Sequence, residues 1–278
     1  MDLNQPKVLI VILNYGTYEL TINLIKELLK RLAYDNYSIM VVDNCSPNES
    51  AKILDEMKAD LGYIFYANKT NSGYAAGNNI GIRYGINNGY DYTWILNNDV
   101  ELRDKNVLEH MVRIAEENER IGCIGPKIYT LDGAVCAPYC RRPTLLSMTV
   151  GIIAEKYYRK QYNNTARKVY RVYGCCMLLR NKAMALIDCM DERTFLYGEE
   201  DILAERLLDK NFVSYYDANV SVTHKESSSV KRMNKNSKRL QIVETSKSME
   251  LYLKEYRRFT ALERYLCKFV RNLILQLR

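Results

Sequence analysis

Behind Lys7 the chain runs through Leu13 as an unbroken series of branched apolar residues, the pattern of a strand buried on both faces. Leu20, Leu24, Leu28 and Leu32 then recur at helical spacing between Thr17 and Leu32. Ser38 to Asp43 predicts a second buried strand, ending in a carboxylate; Tyr63 to Tyr66 predicts a third and Tyr92 to Leu96 a fourth. Between them fall a short helix opened by Asn48 or Ser50 and a second from Gly73 to Ile86. Asp104 is placed to cap a helix reaching about Glu119, because its side chain can accept from free first-turn amides. Strands alternating with helices at this spacing predict an α/β fold: a doubly wound, mostly parallel sheet with helices on both faces.

The second half is less regular. Arg141 to Arg167 is polar and tyrosine-rich without a clear period and reads as a loop or mobile insertion. Strand character returns from Lys168 to Arg180 around Gly174, a helix follows Asn181, and another runs from about Glu200 to Lys210 before a strand from Phe212 to Tyr216. Lys225 to Arg239, rich in Ser, Asn and Lys, reads as mobile. From Ser246 onward Phe259, Leu262, Leu266, Phe269, Leu273 and Leu277 form an apolar stripe among Arg258, Arg264, Lys268 and Arg271, a basic amphipathic helix. The expected organisation is one domain over residues 1–230 and a basic helical tail over 231–278.

Composition changes this picture little. At 278 residues, with 47% hydrophobic and 26% charged, the chain can bury a sizeable core and is neither disordered nor collagen-like. No stretch approaches the roughly 20 apolar residues of a membrane-spanning helix. Met1 to Gln5 carries an acid and lacks the pattern of a signal peptide, so the expected location is the cytoplasm. Eight cysteines lack the paired spacing of a zinc site, which points to reduced thiols. Charge is informative through its placement: Lys225 to Arg278 holds fourteen Lys/Arg against five Asp/Glu, more than the whole formal excess of +7. That asymmetry implies an anionic partner for the tail. A membrane surface with anionic lipids suits the amphipathic stripe, and nucleic acid is not expected. The same stripe also suits packing on the rest of the chain or a homodimer.

Ligands of open α/β sheets bind at the carboxyl ends of the strands. Here those ends read Asn14-Tyr15-Gly16, Asp43-Asn44-Cys45-Ser46, Asn68 to Gly73 and Asn97-Asn98-Asp99. Each alone is ordinary turn chemistry, but four on one rim predict a shared polar pocket. No G-x-G-x-x-G follows the first strand and no phosphate-binding P-loop occurs, so those two nucleotide readings lose their mechanical basis. Asp43 is suited to accept from the N–H of a pyrimidine ring, and Asp99 to hold Mg²⁺ or Mn²⁺ beside substrate phosphates. Glycines at 73, 77, 81 and 85 give one smooth helix face, with Gly73 placed to expose amides to an anion or sugar hydroxyls.

Together, Val-Val-Asp43-Asn44-x-Ser46, Asn71-Ser72-Gly73-Tyr74-Ala75-Ala76-Gly77-Asn78-Asn79-x-Gly81 and Ile95-Leu96-Asn97-Asn98-Asp99 resemble the family 2 glycosyltransferases, nearest the rhamnosyltransferase-like branch. The likeness continues through Gly174 to Arg180, Phe195 to Asp201 and Val222 to Lys225, and so spans residues 7 to about 230 in order. It implies a GT-A fold and an inverting transfer from a nucleotide-diphosphate sugar to a glycan or lipid-linked acceptor in cell-surface polysaccharide synthesis. By the same likeness, Asn14 and Asp43 contact base or ribose, Tyr15, Asn44, Ser46, Asn71, Gly73, Asn79, Asn97 and Asn98 line the donor site, and Asp99 and His224 hold the metal. Glu200 stands where the base is expected, with Glu199 and Asp201 as alternatives. A sugar nucleotidyltransferase would share the layout but needs a basic Gly-rich loop absent here. A non-catalytic nucleotide- or glycan-binding module would leave the acidic triplet without a task.

Overall fold

A computed structural model describes residues 5–225 and 235–276, with side chains at 235–241 and 275–276 left aside. The first expected strand is β1 (Val8–Asn14), and its pleat explains the unbroken apolar run. Val8, Ile10 and Ile12 enter one core cluster while Leu9 and Val11 enter another on the opposite face. The parallel strands β2 (Tyr37–Asp43), β3 (Ile64–Ala67) and β4 (Tyr92–Leu96) flank it, with Asn14 level with Asp43. The helices α1 (Tyr18–Arg31), α2 (Ser50–Leu61), α3 (Gly73–Asn87) and α4 (Val107–Glu117) cover the faces. The glycine face of α3 lies against β1 so closely that a Cβ at Gly81 would come within 2.5 Å of the Val11 methyls.

The sheet is larger and more mixed than the sequence pattern predicts. β5 (Val100–Leu102), β6 (Ile121–Tyr129), β7 (Arg167–Val169), β8 (Cys176–Arg180) and β9 (Val213–His224) complete nine strands. Their order is β3-β2-β1-β4-β8-β6-β9-β5, with β7 paired on β9. β8 runs antiparallel between β4 and β6, so Cys176 lies beside Leu96 at the carboxyl edge of β4. β9 extends well past Tyr216, and its end pairs with β5 so that His224 lies opposite Val100.

Three further expectations change. The 141–167 stretch contains α5 (Leu145–Met148) and α6 (Ile152–Lys160); a reciprocal cap between Thr144 and Ser147 starts the first. Asp104 caps no helix: its carboxylate accepts from the Ser221 amide and hydroxyl at 2.7 and 2.8 Å, tying the β5–α4 turn to β9. Beyond α7 (Asn181–Leu186) and α8 (Glu199–Asp209), the C-terminal region is two helices, α9 (Lys235–Leu251) and α10 (Ala261–Gln276), divided by a π-helical turn at Tyr252–Tyr256. Most of the stretch expected to be mobile, 226–234, lies outside the described residues, and positions 235–239 begin α9.

The π-turn is packed, not free. Tyr252 and Leu253 join Ile202 and Ala204 of α8, Tyr170 and Cys267 in a third core cluster. Beneath them Glu205 is buried and accepts from Arg142 Nε at 2.9 Å and from the Tyr170 hydroxyl at 2.8 Å, with Arg257 Nε 3.5 Å away. A carboxylate withdrawn from water to this extent requires such donors. Arg193, two residues on in the same loop, and Tyr256 of the π-turn converge on Asp191; burial works to raise that carboxyl, but their hydrogen bonds prevail and hold it down at about 2.

Candidate active site

The carboxyl ends of β1, β2 and β4 meet through side-chain hydrogen bonds. Asn14 Nδ2 donates to Asp43 Oδ2 at 2.8 Å, and the Ser46 amide and hydroxyl donate to the same carboxylate at 2.9 and 2.6 Å. The Gly16 amide in turn donates to Ser46 Oγ at 2.7 Å. Asn98 Nδ2 reaches the hydroxyls of Thr17 and Thr21 at 2.8 and 2.9 Å, while Thr21 donates to Asn14 Oδ1 at 2.9 Å. A left-handed Cys45 (φ 62°), itself exposed, makes the tight turn that returns Ser46 to Asp43. Asn14 and Asp43 have no exposed surface. They brace Ser46 and, through it, Gly16, while Tyr15, half exposed, stands on the rim itself.

Directly after β2, Asn44 Nδ2 donates to Asn71 Oδ1 at 3.0 Å and to the Gly73 carbonyl at 3.1 Å, fixing the start of α3. Gly73 is left-handed (φ 88°), and a Cβ there would lie 2.4 Å from the Phe195 carbonyl oxygen. Only glycine allows that approach. The neighbouring Tyr74 amide donates to the same carbonyl at 2.8 Å, so the loop leading into α8 is pinned to the start of α3. Tyr197 and Gly198 then both take left-handed backbone angles, 67° and 87°, before the acidic triplet begins.

The triplet divides by partner. Glu200 Oε1 accepts from the Gly174 amide at 3.1 Å. Tyr74 shares its hydroxyl between the Gly174 carbonyl at 2.7 Å and Asn97 Oδ1 at 3.2 Å, which links Glu200 to the exit of β4. The Asn97 amide also donates to the Cys175 carbonyl at 2.9 Å. Glu199 is 6% exposed, and among the described residues its Oε2 has no hydrogen-bond partner. Burial, and then the charge of Glu200, push its carboxyl well above the usual range; burial and the two glutamates do the same to the Tyr74 hydroxyl. Asp201 is paired with Arg171, whose Nε lies 2.8 Å from its Oδ1. Arg171 and Arg159 both stack on Tyr139, each 3.4 Å from its ring centre, so a ladder of side chains joins α6 to α8. Asn79 is buried and bonds the backbone of Met190 at 2.8 and 2.9 Å and Glu192 at 2.9 Å.

The β5–β9 pairing brings His224 Nε2 to 3.2 Å from Asp99 Oδ1, and the Lys225 amide donates to the Asp99 carbonyl at 3.0 Å. Two neighbouring ligands of an octahedral ion at about 2.1 Å stand roughly 3 Å apart, so this pair suits two adjacent positions around Mg²⁺ or Mn²⁺. No cluster of three or more His, Cys, Asp or Glu capable of holding an ion occurs among the described residues. The sequence named both partners, Glu199 and Glu200, and the polar strand exits. It did not single out Tyr74 and Gly174, although both lie within the quoted motifs. Arg171 carried no signal, because its role depends on a partner 30 positions away.

The chain is similar to several proteins of known activity. Over 195 residues it is 28% identical to the low-salt glycan biosynthesis hexosyltransferase Agl10 of Haloferax volcanii, covering 69% of this chain and 58% of that protein. Over 152 residues it is 26% identical to the N-acetylglucosaminyl-diphospho-decaprenol L-rhamnosyltransferase of Mycobacterium tuberculosis, covering 51% of this chain and 49% of that one. The chain thus spans about half to three-fifths of the length of these curated relatives. Its fold matches GalNAc-T7 solved with UDP, GalNAc and Mn²⁺ (TM-score 0.66, 14% identity, 92% of this chain and 50% of that). It also matches the mannosyltransferase PcManGT of Pyrobaculum calidifontis solved with GDP-Man and Mn²⁺ (TM-score 0.63, 10% identity, 96% and 69%). The architecture is therefore the GT-A fold. The Glycosyl transferase family 2 model matches residues 8–186, from the first strand through α7, and the chain belongs to that family.

Proposed function

We propose that the chain moves a sugar, with inversion, from a nucleotide-diphosphate sugar to a hydroxyl of a glycan or lipid-linked acceptor during cell-surface polysaccharide synthesis at the cytoplasmic face of a membrane. The observation that carries this reading is Glu200, held by the Gly174 amide and linked through Tyr74 to the strand exit that precedes Asp99. One amide occupies Oε1, and the other oxygen takes the acceptor proton, a contribution of about 10²–10⁴-fold in rate. One base and one displacement invert the anomeric carbon. The donor nucleoside rests on Tyr15, Ser46 and Asn71, braced from below by Asn14, Asp43 and Asn44. Asp99 and His224 would hold the divalent ion, which when bound supplies positive charge for the departing diphosphate. The imidazole favours Mn²⁺ over the harder Mg²⁺. Residues 1–230 carry the reaction; in the tail, 231–278, Tyr252, Leu253 and Cys267 support α8, and the rest serves the acceptor's membrane.

Glu200→Gln is expected to leave donor affinity within about twofold while lowering turnover by about 10²–10⁴-fold. Asp99→Ala is expected to abolish the stimulation of donor binding by Mn²⁺. Calorimetric titration with nucleotide sugars and a product assay read the two effects separately. Full turnover by the Glu200 variant would remove the base from this reading.

A further inference from the structure

Amphipathic helices on a protein usually turn the apolar stripe inward. Helix α10 does the reverse. Cys267 is its buried position, with Val270 and Ile274 half-buried on the same side, whereas Leu262, Leu266, Phe269 and Leu273 are 39–68% exposed. Tyr265 stands beside them, stacked on Phe269 with ring centres 6.4 Å apart. Against α10 packs α5, followed directly by α6, and this pair also exposes its largest apolar side chains: Leu146, Val150, Ile153 and Tyr157 are 66–83% exposed. An apolar surface built from two separate chain segments calls for an occupant.

Charge identifies it. Residues 141–168 hold seven Lys/Arg and one Glu, and Lys156 and Lys160 lie exposed on α6 next to the apolar positions. A cavity of about 420 Å³ beside α6 is lined by Lys156, Arg159 and Lys160. On α10, Lys268 is exposed next to Phe269. A second copy seated on this face would set cation against cation, whereas an anionic lipid surface satisfies both the charge and the apolar area. No helix among the described residues is long and apolar enough to cross a membrane, so the contact is interfacial.

We propose that α10 and the α5–α6 pair form one bipartite docking surface for the headgroup layer of an anionic bilayer. The surface deepens the functional reading above and rests on it for one point, that the acceptor is carried in that layer. Arg159, on α6, stacks on the same Tyr139 as Arg171, so the docked face adjoins the helix that carries Glu200.

Flotation of the full chain with phosphatidylcholine vesicles, with and without phosphatidylglycerol, tests it. Binding is expected only with phosphatidylglycerol and is expected to weaken as salt rises. Phe269→Glu on α10 and Ile153→Glu on α6 are each expected to weaken binding by about tenfold. Both positions are exposed, so the melting temperature should hold; unchanged melting confirms that any loss is a docking loss. Equal binding by Ile153→Glu and the parent chain would overturn the bipartite surface. Binding to neither vesicle, or a dimer in sedimentation that Phe269→Glu dissolves while vesicle binding persists, would overturn the lipid as occupant. Hydrolysis of nucleotide sugars in vesicle-free solution reads the catalytic assignment on the same preparations, so a failure of that assignment shows there and not in flotation.

Discussion

Glu199 shows how a single side chain can be named by the sequence and given its character only by the fold. Its type and place, opening α8 beside Glu200, were legible because an acidic triplet stands there in the motif order that resembles the family's. Its burial was not, since that follows from the contacts of the Tyr197–Gly198 turn. With its carboxyl raised by burial and by Glu200, Glu199 binds a proton in the folded chain at pH values where the unfolded chain has released it. The stability this contributes is complete below the ordinary glutamate range and declines as pH rises from there toward the raised value. Glu199→Gln keeps the neutral shape without the titration. The variant is therefore expected to gain stability over the parent chain progressively above about pH 4.5, measured by urea denaturation across pH. Parallel pH profiles for the two proteins would show that Glu199 is charged in the fold. Asp201 illustrates the opposite case: two positions further on, another carboxylate is paired with Arg171, a partner that no local pattern announces.

At the scale of elements, periodicity located β1 to β4 and α1 to α4 because each carries its own apolar signature. It failed for β5 and β6, and for the antiparallel entry of β8 between β4 and β6, because pairing order is set by neighbours distant in sequence. It also read one amphipathic helix from Ser246 onward where the end of α9, the π-turn and α10 stand, since Tyr252 and Leu253 are drawn into the α8 cluster by contacts that no local pattern announces. That division sorts the C-terminal region into a structural part and an exposed part. Deleting residues 261–278 removes one buried residue of the cluster, Cys267, and is expected to lower the melting temperature by only a few degrees. Deleting 235–278 also removes Tyr252, Leu253 and the Arg257 contact to Glu205. Losing two large buried side chains is expected to lower it by about 10–20 °C. Similar melting of both truncations would mean that the π-turn is dispensable to α8.

For the whole molecule, the sheet gathers the exits of β1, β2 and β4, the start of β8 and the end of β9 on one rim, which is why motifs spread from residue 14 to residue 224 lie together. The ordered motifs disclosed that gathering, and the basic stripe of the tail was read from its spacing; the α5–α6 half of the cationic, apolar face stayed hidden, because 141–167 has no clean period and exposure is a property of the assembled fold. One thiol on the rim makes this arrangement accessible to chemistry. Cys45 is exposed between Asn44 and Ser46, whereas five of the other cysteines are buried and Cys136 and Cys140 are half-buried. A maleimide fluorophore should thus attach first at residue 45, nucleotide diphosphate should slow the attachment, and the emission of the attached dye should report occupancy of the nucleoside seat.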